Sequence, residues 1–201
     1  MTKELRQIVL ASGNAKKISE LQYLLTDCGY IIVPQSTFNT PEAIEDGLSF
    51  VENAIIKARN ACLHSGLPAI ADDSGLEVDA LQGKPGIYSA RFSGENASDA
   101  SNNEQLLKQM VNVPESLRTA RFQCVLVYMQ HAEDPTPLIC QGSWEGRILS
   151  QLNGEKGFGY DPLFYVPGHN CSCAQLAAEE KSIISHRGQA MRQLLSHFKQ
   201  H

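Results

Sequence analysis

The stretch QIVLASGNAKKISELQYLLTDCGYIIVP, from Gln7 to Pro34, decides the fold. Gln7 to Ala11 is short, apolar and bounded by Ser12-Gly13-Asn14, the pattern of a buried strand. Ile18, Leu21, Leu25 and Cys28 then recur at i, i+3, i+7 and i+10. That spacing places them on one face of a helix over about residues 15–28, which Gly29 ends. Tyr30 to Val33 is a second strand, stopped by Pro34. Strand, helix and strand in succession predict an α/β fold.

Outward from there, residues 35–46 are polar and acidic and read as a loop. A second helix is expected over about Leu48 to Ser65, with Phe50, Ala54, Ala58 and Ala61 on one face and Gly66 ending it. Pro68 to Ala71 reads as a short strand running into Asp72-Asp73-Ser74-Gly75, with Leu76 to Ala80 continuing extended. Gly83 to Ser89 contains a Gly-Lys-Pro-Gly turn. A helix is expected over Asn102 to Val111. Ala120, Phe122, Cys124, Leu126 and Tyr128 share one parity within a long strand from Arg118 to Gln130. Leu138 to Leu149 is its partner, and the turn-rich link 132–137 predicts an antiparallel hairpin. A last helix covers Gly188 to Phe198. No repeat, low-complexity tract or linker interrupts the chain, so residues 1–201 read as a single domain.

Composition narrows the function. The chain has 201 residues, enough for a sizeable core without staples. Lys and Arg number 17 against 22 Asp and Glu, a net charge of −5, and the pI is about 5.7. That balance disfavours binding to a nucleic-acid polymer, while a small anionic ligand needs only a few local cations. No apolar run approaches the roughly 18–20 residues of a membrane span. The first residues lack a secretory h-region, so a cytoplasmic protein with its six cysteines reduced is expected.

Five clusters are suited to chemistry. Ser12, Gly13, Asn14, Ala15, Lys16 and Lys17 lie between strand and helix, where unpaired N–H groups, the helix dipole and a lysine make a phosphate cradle. A plain capped turn accounts for the same residues equally well. Asp72 and Asp73 end a strand, so their side chains point to opposite faces. One carboxylate can then hold Mg²⁺ while the other positions water, although a solvated turn also fits. Glu45 precedes a helix on which Asn53 and Lys57 share a face. Gly157-Phe158-Gly159-Tyr160-Asp161 sets an aromatic ring between glycines, suited to stacking on a base. Lys181 and Ser185-His186-Arg187 supply donors for carbonyl or phosphate oxygens.

Each cluster has a plain structural reading by itself; their order along one chain does not. Ser12-Gly13-Asn14 with Lys17 and Glu20, then Phe50-x-Glu52-Asn53-Ala54-x-x-Lys57-Ala58, then Ala71-Asp72-Asp73-Ser74-Gly75-Leu76 make the first half of a pattern. Pro85-Gly86-x-Tyr88-Ser89-Ala90-Arg91, Gly157-Phe158-Gly159-Tyr160-Asp161-Pro162-x-Phe164 and Ser185-His186-Arg187 complete it. Together they closely resemble the inosine/xanthosine triphosphate pyrophosphatases, from about Gln7 to Phe198, and look like a bacterial member.

The resemblance implies an α/β fold with a central mixed sheet flanked by helices, and two lobes with the active-site cleft between them. It implies a homodimer. It also implies Mg²⁺-dependent hydrolysis of dITP, ITP and XTP to the nucleoside monophosphate and pyrophosphate. Carried over, Ser12 to Lys17 and Lys57 would bind the triphosphate, and Glu45 and Asp73 would hold Mg²⁺. Asp73 would take the proton of the attacking water, with Asp72 supporting water or metal, and Ser74 would touch substrate. Phe158, Gly159, Tyr160, Asp161, Lys181, His186 and Arg187 would form the base pocket, His186 or Arg187 donating to the purine O6. Ser12 stands where many relatives have Thr. Gly168 to Cys173 matches no motif of the family and reads as a variable loop. Two rival readings remain at this point: a pyrophosphatase for modified pyrimidine triphosphates, and a non-catalytic nucleotide-binding protein.

Overall fold

The computed structural model describes residues 5–12, 15–26 and 28–200, without the side chains of residues 15–17, 19, 20 and 24. Among these described residues seven strands form one mixed sheet in the order β2-β1-β3-β4-β5-β6-β7. They are β1 (Arg6–Leu10), β2 (Tyr30–Pro34), β3 (Ala69–Val78), β4 (Thr119–Met129), β5 (Leu138–Ile148), β6 (Phe164–Val166) and β7 (Cys171–Ser172). Strand β1 runs parallel to both β2 and β3, with Val9 opposite Ala69 and Leu10 opposite Ile70. Strand β6 is antiparallel to β5 and to β7. Strands β4 and β5 are neighbours, and the short connection over residues 130–137 returns the chain antiparallel, as the turn residues predict.

Five α-helices accompany the described strands: α1 (Ala15–Thr26), α2 (Phe50–Ser65), α3 (Asp99–Gln109), α4 (Ala178–Ile184) and α5 (His186–Gln200). Ile8, Val9 and Leu10 are all fully buried. Successive strand residues face opposite ways, so both faces of β1 are covered, as parallel sheets require. Among the described residues no helix is long and apolar enough to cross a membrane.

Several boundaries differ from the sequence expectation. Asp72-Asp73-Ser74-Gly75 does not break the chain; β3 runs through it without interruption. Helix α3 begins at Asp99, three residues before the expected start, because Ser98 and Ser101 form a reciprocal capping box. Helix α5 begins at His186, and the Ser185 hydroxyl accepts a hydrogen bond from Gly188 N. Helix α4 and strands β6 and β7 were not anticipated. In β4 the expected alternation gives way to continuous burial from Cys124 to Val127.

The chain forms two compact units. The first comprises the described parts of Met1–Asp73, Val125–Gln141 and Ala190–His201. In it the alanine face of α2 (Ala54, Ala58, Ala61) joins Val9, Ala69, Ala71, Val125, Val127 and Met129 in one apolar cluster. Small side chains on the helix allow close approach to the strands. Ser49 caps the start of α2, and Gly66 in the left-handed conformation ends it.

The second unit comprises Ser74–Cys124 and Gly142–Gln189. Its core gathers Leu76, Val78, Leu106, Met110, Phe122, Trp144, Leu163 and Phe164. The rings of Phe122 and Phe164 lie 4.4 Å apart, and those of Trp144 and Phe164 5.4 Å apart. Inward positions of β5 alternate strictly with exposed ones. Gly142 is one of the inward positions. A Cβ there would stand 2.0 Å from the His186 carbonyl oxygen, so only glycine permits this strand–helix approach. Gly142→Ala is therefore expected to cost about 1–3 kcal/mol through overpacking. A guanidinium melt of variant and parent checks it, and an unchanged midpoint would contradict it.

Candidate active site

The first cluster of site residues lies in the first unit. Helix α2 and the loop before it are tied together locally. Buried Asn53 accepts from Gly47 N through Oδ1 (2.9 Å), and Glu52 Oε2 accepts from Leu48 N (3.0 Å). These bonds fix the end of the loop that carries Glu45. One turn after Asn53, Lys57 Nζ donates to Glu45 Oε2 at 3.2 Å and to Asp73 Oδ1 at 2.7 Å. Three of the residues singled out from the sequence, 12 to 28 positions apart, thus come together, two carboxylates on one ammonium group.

The electrostatics follow from burial. The side chains of Lys57 and Asp73 are only 15% and 13% exposed. Burial pushes the Asp73 carboxyl above the ordinary carboxylate value against the pull of Lys57, and the charges of Glu45 and Asp72 add to the push. Burial works against the Lys57 charge, but attraction to Asp73 and Glu45 outweighs it and its pKa rises. Asp73 Oδ2 is buried and has no hydrogen-bond partner among the described residues. A carboxylate oxygen in that state is open to a proton, a water or a cation. Asp72, next on β3, is itself buried at 6% exposure, and Ser74 is half-buried.

At the other candidate phosphate site, Ser12 is half-buried between β1 and α1. Gly13 and Asn14 lie outside the described residues. So do the side chains of Ala15, Lys16 and Lys17, whose backbone opens α1.

The second cluster lies in the second unit and is built on the turn from Gly157 to Asp161. Gly157 adopts φ +87°, and a Cβ there would stand 2.1 Å from Asp161 Oδ2. Only glycine allows the turn to close on that carboxylate. Asp161 is 3% exposed. Its Oδ2 accepts from Phe158 N (2.9 Å) and from Lys181 Nζ, and its Oδ1 accepts from the Cys173 thiol (3.0 Å). Burial, with the Asp161 charge added, pushes the Cys173 thiol strongly up, so it stays a protonated donor. Gly159 N donates to Asp99 Oδ2, Gly159 O accepts from Asn103 Nδ2, and the Tyr160 hydroxyl donates to Ser89 O.

This scaffold leaves Phe158 62% exposed, with Lys181 Nζ 4.9 Å from its ring centroid. An exposed aromatic face beside an ammonium suits a base-stacking platform. His186 opens α5, and its ring stacks on Phe122 at 4.9 Å and 18°. Arg187 follows it, half-buried. The structure thus brings together Glu45, Lys57 and Asp73 in one unit, and Phe158, Gly159, Tyr160, Asp161 and Lys181 in the other. The sequence reading had not picked out Asp99 and Asn103, had placed Cys173 in a variable loop, and had noted Asn53 only for sharing a face with Lys57; all four hold those residues. Only the Asn53–Lys57 spacing and the Ser98-x-x-Ser101 cap gave any local sign of them.

The model of the Ham1 family matches residues 8–197. A dITP/XTP pyrophosphatase of Vibrio vulnificus strain YJ016 is 58% identical over 192 residues, covering 96% of each chain. The structure of a HAM1 protein from Coxiella burnetii superposes with a TM-score of 0.95 at 48% identity, covering 98% of this chain and 100% of that one. A nucleoside-triphosphatase, dITP/XTP pyrophosphatase, from Mycobacterium abscessus gives a TM-score of 0.80 at 41% identity, covering 94% and 98%.

Proposed function

The chain belongs to the Ham1 family, and from that premise we propose that it hydrolyses the non-canonical purine nucleoside triphosphates dITP, ITP and XTP to monophosphate and pyrophosphate. The observation that carries the chemistry is the Asp73 carboxylate: one oxygen is held by Lys57, and the other is buried with no hydrogen-bond partner among the described residues. The substrate class comes from the relatives, whose name states it.

The residues fit a divalent ion. Glu45 and Asp73 both reach Lys57 with hard oxygens, and Asp73 Oδ2 has no partner among the described residues. Among the described residues no group of three or more His, Cys, Asp or Glu is placed to hold a metal by itself. That agrees with Mg²⁺, which takes one or two carboxylates and completes its shell with water and substrate phosphates. Glu45 and Asp73 would hold such an ion, and its charge would neutralise the phosphate oxygens.

The remaining chemistry is the chain's own. Lys57 and the segment Ser12 to Lys17 bind the triphosphate at the start of α1. Asp73 orients a water toward the α-phosphorus, and its carboxylate takes the proton. The new bond joins that oxygen to the α-phosphorus, the α–β bridge breaks, and pyrophosphate leaves with the bridging oxygen. The base stacks on Phe158, with His186 or Arg187 donating to O6. A site that donates to O6 leaves the adenine amino group facing donors, which rejects ATP.

The test is a substrate panel in Mg²⁺: ITP, XTP, ATP, GTP and a modified pyrimidine triphosphate. ITP and XTP are expected to turn over at least about 10²-fold faster than ATP, with activity lost on chelation. Preference for the pyrimidine, or binding without turnover, would overturn the reading.

A further inference from the structure

We propose that Asn103 and Asp99, on α3, are positioning residues for the substrate base. They clamp the two peptides flanking Gly159 and so set the direction of the Phe158 ring. The inference rests on the reading of Phe158 as the base platform.

Phe158 is 62% exposed, so no packed core directs its ring. Its direction depends on the backbone either side of it. On one side, Phe158 N donates to Asp161 Oδ2. On the other, Gly159 has a φ of +60°, and nothing lies within 4 Å of where its Cβ would stand. No side chain packs over that face of Gly159, and hydrogen bonds hold both of its peptides. Gly159 N, in the peptide that directly follows Phe158, donates to Asp99 Oδ2 at 2.7 Å. Gly159 O, in the next peptide, accepts from Asn103 Nδ2 at 2.8 Å.

Asn103 is 4% exposed, and its amide also donates to Asp99 O at 2.7 Å. The two carbonyl partners fix which way the amide faces. They leave Asn103 Oδ1 buried with no partner among the described residues. A side chain placed there for stability alone would not leave a buried acceptor unsatisfied, since that costs stability. The donor it presents to Gly159 is what the position supplies. Asp99 and Asn103 share the first turns of one rigid helix, one turn apart, so the clamp is preorganised before substrate arrives.

The test compares Asn103→Leu, Asp99→Ala and Asp99→Asn with the parent, by ITP kinetics, melting and amide exchange at Gly159. Asn103→Leu and Asp99→Ala are expected to raise KM for ITP about tenfold with kcat within about twofold, and to accelerate exchange at Gly159. Asp99→Asn keeps an acceptor oxygen and is expected to restore KM. An unchanged KM in both variants would overturn the proposal. So would parallel loss of KM, kcat and melting temperature, or an Asp99→Asn variant no better than Asp99→Ala. If Asn103→Leu does not fold, the exposed Asp99 pair still decides the matter. A parent inactive on ITP refutes the proposed function instead; the clamp is then judged on Gly159 exchange, which needs no substrate.

Discussion

Asp73→Asn is expected to lose about 10³-fold or more in turnover on ITP while melting no lower than the parent. Asparagine keeps the shape, and its Oδ1 can still accept from Lys57. It cannot take a proton from water. The stability half of the prediction follows from linkage. The folded state raises the pKa of Asp73, so it binds the proton more tightly than the unfolded chain does. Ionised Asp73 therefore destabilises the fold, and increasingly so as the pH rises through the unfolded value and on to the raised one. Replacing it with a neutral isostere removes that burden. Steady-state kinetics and a thermal melt at neutral pH check both halves. Retained turnover would remove Asp73 from the chemistry, and a large fall in melting temperature would mean that the Lys57 pair is a structural tie.

The second large effect is expected at Asp161. Both carboxylate oxygens are engaged, by Phe158 N, Lys181 Nζ and the Cys173 thiol, at 3% exposure. Asp161→Ala strands a lysine, a backbone N–H and a thiol at once. Breaking one side of a buried pair costs about 3–5 kcal/mol. Lys181 is 21% exposed and can reach water, which places the loss near the lower figure. For a chain of this length that is a fall of about 6–12 °C in melting temperature. KM for ITP is expected to rise as well, because the turn that carries Phe158 loses its anchor. A variant that melts with the parent would show that the hydrogen bonds of Asp161 hold nothing.

Much of this was legible in the residues and some was not, for physical reasons. The apolar spacing of Ile18, Leu21 and Leu25 and the buried run Ile8 to Leu10 report burial directly, and they marked α1 and β1. Asp72-Asp73-Ser74-Gly75 has the composition of a turn, yet β3 runs through it, because pairing within the sheet overrides local preference. Strands β6 and β7 are three and two residues long, too short to show a period. The site residues were legible as motifs, but their mutual placement was not. Nothing in the spacing of Glu45, Lys57 and Asp73 announces that one ammonium bridges two carboxylates. Asp99 and Gly159 are 60 positions apart, and only the folded chain brings them together.

The position of bond cleavage is the most direct measurement. ITP is hydrolysed in water enriched in oxygen-18, and the products are resolved by mass. Attack at the α-phosphorus predicts one heavy oxygen in the monophosphate and an unlabelled pyrophosphate. Label in the pyrophosphate, or release of orthophosphate and a diphosphate, would contradict the proposed reaction.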